Sequence, residues 1–177
     1  MFFFGHLGIT LGIAVLLFHL LKIKPDRKIY LVVFIGAILP DLIDKPIGEI
    51  MLAGSISNGR IFAHTLLFII FLLFIGMYLY KRNGELRGLV LCFASFLHLC
   101  EDQMWLMPET LFYPAYGFSL PQGTMETHWW QYFISMFLNT YSFSSGVAHS
   151  FYYELIGIAI LILFFLQKLS TRRGWSQ

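Results

Sequence analysis

Histidine and carboxylate side chains recur near the ends of the apolar segments of this sequence. Asp41 and Asp44 are three residues apart, and His98 and Asp102 are four residues apart. On a helix, both spacings place the two side chains on one face. Imidazole nitrogen and carboxylate oxygen together form a ligand set for zinc, manganese or iron. The pairs therefore indicate a divalent-metal site, and because no cysteine joins them they do not indicate a structural thiolate zinc site.

Five apolar segments have the character of membrane spans that would position these residues. The chain has 177 residues, of which 58% are hydrophobic and 12% charged, and its mean hydropathy is +0.71. A soluble domain carries about 25% charged residues, and a helix needs about 20 apolar residues to cross a bilayer. We therefore predict an all-α, polytopic integral membrane protein with about five transmembrane helices in a single membrane-embedded domain, 1–177. The predicted spans are 2–21, 29–43, 61–80, 88–100 and 147–166.

Lysine and arginine residues gather on one side of this five-span arrangement. Ten of the twelve fall in the first and third connections or after the last span, and only Lys45 and Arg60 fall on the other side. Cytoplasmic loops carry an excess of such residues. The distribution predicts a multi-pass protein of the plasma (inner) membrane with its N-terminus outside and its C-terminus in the cytoplasm. We interpret segment 128–141 as interfacial or re-entrant, because a sixth span would place the basic tail outside.

The predicted topology brings ionisable residues of all five spans to the extracytoplasmic face. Ionisable groups within a membrane are costly to bury and are usually functional. His19, near the opposite face, is interpreted as a helix-end hydrogen-bonding residue. Glu101 points about 100° away from Asp102 on a helix, so we expect it outside the site. The residues at the outer face are His6, Asp41, Asp44, His64, His98 and Asp102, with His149 and Glu154 as second-tier candidates.

Several short motifs occur in a defined order along the first two thirds of the chain. They are His6 followed by Gly8 and Gly12, GAILPDLIDKPIG from Gly36, GRIFAHTLLF from Gly59, HLCED from His98 and FYPAYGF from Phe112. Their order and placement resemble the YdjM-like (LexA-regulated type) family of membrane-bound, predicted metal-dependent hydrolases. The resemblance implies a distant kinship to helical, zinc-dependent phospholipase C and nuclease-type enzymes. It also implies a metal-binding core of His6, Asp41, His64, His98 and Asp102, with Asp44 as the second acid after the Leu-Pro-Asp turn.

The sequence departs from the family pattern at two places. The histidine that usually precedes Arg60 is Gly59 here, and the segment after Asp102 reads QMWLMPET instead of a turn with threonine and glycine. These departures leave open whether the site holds one metal ion or two, and which substrate it accepts.

A metal-dependent hydrolase of lipid phosphoesters is the function that we expect. A site at the outer face would meet lipid headgroups, so membrane lipid is the expected partner. One or two divalent ions, zinc in preference to manganese, would acidify a bound water and polarise a phosphoryl oxygen. Asp44 would orient or deprotonate that water, and Arg60 would hold the phosphate bidentately.

Other functions stay open at this point. The same ligands would suit an amidase or peptidase, although the sequence lacks the HExxH motif of the commonest zinc peptidases. A metal-ion transporter or membrane sensor is a further alternative, but its path should carry ionisable groups through the whole bilayer, whereas the inner half has only His19. The net charge of +2 and the lack of a long basic run predict no nucleic-acid partner. The oligomeric state stays open.

Overall fold

Five long helices make up most of the structure. The computed structural model describes residues 3–52, 54–55, 58–122, 134, 138 and 148–173, with side chains in the last helix described over 151–170. Every regular element in these ranges is helical, which confirms the all-α prediction. The long helices are α1 (Phe3–Leu20), α2 (Arg27–Lys45), α3 (Leu66–Asn83), α4 (Arg87–Glu101) and α6 (Ala148–Arg173). The short elements are a π-helix (Pro46–Met51), a 3-10 turn (Met104–Leu106) and α5 (Pro108–Leu111).

Three of the long helices are long and apolar enough to cross a membrane. They are α1, α3 and the Phe151–Ser170 part of α6. The helices α2 and α4 coincide with the other two predicted spans, but their membrane crossing and the orientation of the termini stay predictions. Segment 128–141 lies outside the described residues except at positions 134 and 138.

Local capping sets where the helices begin and end. The Asp26 carboxylate accepts the backbone N–H of Ile29 at 2.7 Å and caps the start of α2. Thr65 caps α3 in the same way by accepting from Phe68 at 3.1 Å. We expected His64 in the first helical turn of the third span. Because Thr65 is the cap, α3 begins at Leu66, and His64 lies in the turn that precedes the helix. Gly84 ends α3 with a left-handed φ of 70°.

The helices pack in the spatial order α3, α4, α2, α1, α6. Where α1 crosses α6, a Cβ at Gly8 would collide with the backbone of Gly157, so only glycine permits this approach. Further along α1, Leu11 and Phe18 form a buried apolar cluster with Val33 of α2. The helix α1 therefore takes part in both the close approach to α6 and the apolar cluster with α2.

The two ends of the bundle differ in chemistry. The starts of α1, α3 and α6 meet the ends of α2 and α4, as the bonds of Glu101 and Glu154 to α1 and of Asp44 to the turn before α3 show. We call this the polar end. At the other end the rings of Phe18, Tyr30 and Phe164 bring α1, α2 and α6 together. We call it the basic end, because the Lys/Arg-rich connections predicted from the sequence lie there.

Candidate metal centre

Pro40 prepares one wall of the site inside α2. Proline has no N–H, so the carbonyl of Gly36, four residues earlier, lacks its helical donor. The Ser95 hydroxyl of α4 donates to this carbonyl at 3.2 Å. The next carbonyl, that of Ala37, accepts the Nδ1–H of His98 at 2.7 Å. The helical turn of α2 that precedes Pro40 therefore binds Ser95 and His98 of α4 through two successive carbonyls.

Asp44 organises the turn that precedes α3. It is fully buried, and its two oxygens accept the backbone N–H groups of residues 61–64 at 2.8–3.1 Å. One oxygen also accepts the Nδ1–H of His64 at 2.7 Å. We expected Asp44 to orient or deprotonate a water. Both of its oxygens are instead engaged by the protein, which is the arrangement of a residue that holds His64 in place.

Glu101 holds the third histidine. Its carboxylate accepts the Nδ1–H of His6 at 2.7 Å and the hydroxyl hydrogen of Thr10 at 2.9 Å, both from α1. The expectation that Glu101 lies outside the site was therefore wrong. Glu101 and Asp102 both approach the His6 ring of α1, and the spacing of residues within α4 does not predict this contact with a neighbouring helix.

The three imidazoles share one hydrogen-bonding pattern. Because a carbonyl only accepts, the Nδ1 of His98 carries the proton and its Nε2 presents a lone pair. The carboxylates beside His64 and His6 impose the same tautomer. The Nε2 atoms of His64 and His98 then face each other at 3.3 Å. Two lone pairs at this distance repel, and a metal ion bound to both nitrogens would remove this repulsion, as would a proton shared between them.

Four side chains form a compact group around that point. Asp41 Oδ1 lies 3.6 Å from His64 Nε2 and 3.7 Å from His98 Nε2, and Asp102 Oδ2 lies 3.8 Å from His64 Nε2. All four ligand atoms lie within 4.8 Å of one another. Ligands at about 2.0–2.2 Å from a tetrahedral ion are separated by roughly 3.3–3.6 Å. The group therefore fits a divalent metal ion.

His6 lies beside this group. Its ring stacks on that of His98 with centroids 4.1 Å apart, and its Nε2 is 3.2 Å from Asp102 Oδ1. Among the described residues this buried nitrogen finds no partner with good hydrogen-bond geometry. The structure thus brings the five residues implied by the sequence together, with four around one point and His6 at a second.

Arg60 connects Asp102 to the protein surface. Its Nε donates to Asp102 Oδ2 at 2.8 Å, and its side chain is 38% exposed. Burial raises the pKa of Asp102, but the neighbouring His6 imidazole and the charge of Arg60 lower it further. The pKa of Asp102 therefore stays well below its usual value, and the carboxylate stays ionised.

A family model described as YdjM inner membrane protein matches residues 1–174. The chain belongs to the YdjM inner membrane protein family. The match confirms the resemblance and extends it beyond the motifs, which end at Phe118, into α6. Family membership and the three apolar helices agree with a membrane location for this YdjM-family protein. No curated protein and no solved structure matches the chain.

Of the second-tier candidates, Glu154 lies outside the metal group. Glu154 of this YdjM-family protein is fully buried, and its oxygens accept the backbone N–H groups of Phe4 and Gly5 at 3.1 and 3.0 Å. It therefore caps the start of α1, one residue before His6. The side chain of His149 lies outside the described residues.

The family usually has a histidine where this chain has Gly59, and the space beside Gly59 is occupied by a side chain of the π-helix. A Cβ at Gly59 would collide with the Glu49 carboxylate. Nearby, Lys45 donates to Asp41 Oδ2 at 2.7 Å, leaving Oδ1 as the oxygen nearest the two histidines. In this YdjM-family chain, Glu49 and Lys45 therefore form the side of the site next to Arg60.

Proposed function

We propose that this protein is a membrane-embedded metal-dependent hydrolase that cleaves a phosphoester of a membrane lipid at the extracytoplasmic face. The observation that carries the proposal is the pair of facing Nε2 lone pairs on His64 and His98, closed by the carboxylates of Asp41 and Asp102. Each imidazole has its other nitrogen tied to an acceptor, as metal-ligating histidines almost always do.

Zinc is the metal that we favour for the four-residue group. Two imidazole nitrogens and two carboxylate oxygens suit its preference for four ligands in tetrahedral geometry, and manganese is the second choice. When bound, the ion would polarise a phosphoryl oxygen and lower the pKa of a water that attacks it. If the site takes two ions, His6 Nε2 and Asp102 Oδ1 would bind the second ion.

Arg60 and Asp41 mark the side from which we expect the substrate to enter. The Asp41 side chain is 21% exposed and that of Arg60 38%, whereas His64 and His98 are fully buried. We assign Arg60 to hold the phosphate group, because a guanidinium matches phosphate geometry. In this proposal Asp44 positions His64 and is not the base.

Exposed apolar residues near this entrance support a lipid as the substrate. Phe62 is 45% exposed between Arg60 and His64 in the chain, and Trp105 and Leu106 are 57% and 69% exposed just after Asp102. A soluble substrate would not require apolar side chains around the site. Lipid chains, in contrast, would cover them.

The packing below the site supports a hydrolase more than an ion pathway. Towards the basic end, the interior between α1 and α2 is filled by Leu11, Ala14, Phe18 and Val33, each at most 5% exposed. An ion path would need polar groups at this depth. The metal group therefore has apolar packing on its inner side, as a site that exchanges substrate with one face requires.

A phospholipid assay tests the proposal. Purified protein in detergent micelles is supplied with zinc or manganese, and product release from a phospholipid panel is measured for wild type, His98→Ala, Arg60→Gln and His19→Ala. We expect hydrolysis by wild type, none by His98→Ala, and a raised KM for Arg60→Gln. His19→Ala is the matched control, because His19 lies exposed in the last turn of α1 at the basic end.

Several results would contradict the hydrolase. Wild type that binds metal but releases no product from any phospholipid would remove the proposed activity. Release from amide substrates instead would favour the amidase, and loss of function in His19→Ala alone would favour ion transport.

Cysteine labelling tests the proposed orientation. In a chain with Cys92 and Cys100 replaced by alanine, a single cysteine at Ser176 should resist an impermeant reagent in intact cells, because the tail is expected in the cytoplasm. A cysteine at Glu109 should react. The reverse pattern would move the metal centre to the cytoplasmic face.

A further inference from the structure

A cavity of about 760 Å³ opens between the start of α2 and the last third of α6, at the basic end. Ligand pockets in proteins span about 300–1,000 Å³, so it is large enough for a headgroup and part of a chain. Its lining is divided, with Arg27 and Lys168 as cations and Tyr30, Leu31, Phe34 and Phe164 as apolar or aromatic walls.

The cationic part of the cavity is held in place by aromatic rings. The Lys168 ammonium lies 4.7 Å from the centre of the Tyr30 ring and 5.6 Å from that of Phe164. The two rings are themselves 5.0 Å apart. Asp26 also lines the cavity, but its carboxylate caps α2 through the N–H of Ile29. Arg27 and Lys168 therefore give this part of the cavity an excess of positive charge.

The apolar part of the cavity continues onto the outer surface of the bundle. Leu31 is 58% exposed, Phe165 54% and Leu169 52%, and all three line the cavity. A ligand that suits both parts has an anionic group beside an apolar chain. Basic pockets between transmembrane helices recognise anionic lipid headgroups in this way.

We propose that this cavity binds an anionic phospholipid, with its phosphate at Arg27 and Lys168 and an acyl chain along Leu31 and Phe165. The site is separate from the metal centre, because Tyr30 and Asp41 of α2 are eleven residues apart, or roughly 16 Å along a helix. Binding here does not depend on hydrolysis at the polar end.

Lipid binding to the full chain tests this site. Delipidated protein in neutral detergent is titrated with phosphatidylglycerol or phosphatidylcholine, and bound lipid is counted by native mass spectrometry while thermal unfolding is followed. Wild type should bind phosphatidylglycerol selectively and unfold at a higher temperature with it. Since each cation contributes about 5-fold, the Arg27→Gln/Lys168→Gln double variant should bind roughly 30-fold more weakly.

The matched control removes two cations from the same end but outside the cavity. Lys81 and Arg82 lie exposed in the last turn of α3, and Lys81→Gln/Arg82→Gln should bind phosphatidylglycerol like wild type. Equal loss in this control, or equal binding of phosphatidylcholine, would overturn the proposal by showing general charge attraction or unspecific lipid contact.

Two further measurements distinguish a lipid from a soluble anion and this cavity from the metal centre. If inorganic phosphate or glycerol 3-phosphate raised the unfolding temperature as much as phosphatidylglycerol, the site would bind a soluble anion and the lipid proposal would be wrong. His98→Ala should retain phosphatidylglycerol binding, so failure of the hydrolase proposal and failure of this one give different results.

Discussion

The polar end and the interior towards the basic end are built by the same helices from opposite kinds of residue. At the polar end, buried His6, His64 and His98 donate hydrogen bonds to carboxylate or carbonyl oxygens, and buried Asp44 accepts them from backbone amides. From the residue after Thr10 onwards, the buried residues of α1 are Leu11, Ala14 and Phe18. Burying a polar group is unfavourable unless it is hydrogen-bonded.

The difference indicates that the candidate metal ligands and the residues that stabilise the fold lie in different parts of one bundle. Polar networks add little net stability, because their bonds replace bonds to water, whereas apolar packing fills space that would otherwise be empty. Variants at the polar end should therefore change metal binding more than folding, and variants in the apolar cluster should do the reverse. Four substitutions test this separation.

Asp102→Asn should give the largest effect. The amide keeps the shape of the side chain but removes the anionic oxygen that faces the two histidines. We expect metal affinity to fall more than about 100-fold, beyond the range for residues that only support a ligand, while the unfolding temperature changes little. Elemental analysis after dialysis, with thermal unfolding of the metal-free protein, measures both. Equal metal content in wild type and variant would exclude Asp102 as a ligand.

Leu11→Ala should show the opposite behaviour. Leu11 is fully buried between α1 and α2, so its truncation leaves a cavity that costs about 2–5 kcal/mol of unfolding free energy. Metal stoichiometry should not change. Leu16→Ala is the control on the same helix, because Leu16 is 58% exposed and should cost little. A parallel loss of metal in Leu11→Ala would show that the two parts are coupled.

Asp44→Asn distinguishes a positioning residue from a base. If Asp44 holds His64, its loss should weaken metal affinity by about 10–100-fold, and added metal should restore much of the rate. A base would instead leave metal affinity intact and lower kcat at saturating metal. Asp26→Asn is a suitable control, because asparagine also caps a helix and the position lies at the basic end.

Thr10→Val should give the smallest effect and locates the boundary between the two parts. The substitution removes the hydroxyl that donates to Glu101 at 2.9 Å while keeping a similar volume. We expect a loss of about 1–3 kcal/mol in stability, as for one hydrogen bond to a charged group, and less than about tenfold in metal affinity. A loss as large as that of Asp44→Asn would place Thr10 within the metal centre.

The sequence predicts the helices and the gathering of the ionisable residues because both follow from rules that act along the chain. The length of each apolar segment predicts a helix, and an ionisable residue near the end of such a segment is easily recognised in the sequence. The side chains of His6, Asp41 and His98 can therefore be assigned to one end of the bundle from the sequence alone.

The remaining features depend on contacts between elements, which spacing within one helix does not report. Glu101 is in the site because α1 packs against it, and Glu154 caps α1 from a helix far away in the chain. The hydrogen bonds that Asp44 accepts from the backbone of residues 61–64 depend on the path of the chain after the π-helix. Pro40 is the sequence feature that indicates such a contact, because its missing N–H leaves the carbonyl four residues earlier open to another donor.

The cap on α1 also determines when the metal centre can be completed. Glu154 follows its partners Phe4 and Gly5 by 150 and 149 residues. A ribosome adds about 5–20 residues per second, so the start of α1 waits roughly 8–30 s for this carboxylate. During that interval the first helix is in place without the contact that fixes the turn beside His6. We therefore expect the candidate metal centre to be completed only after the last helix has been synthesised.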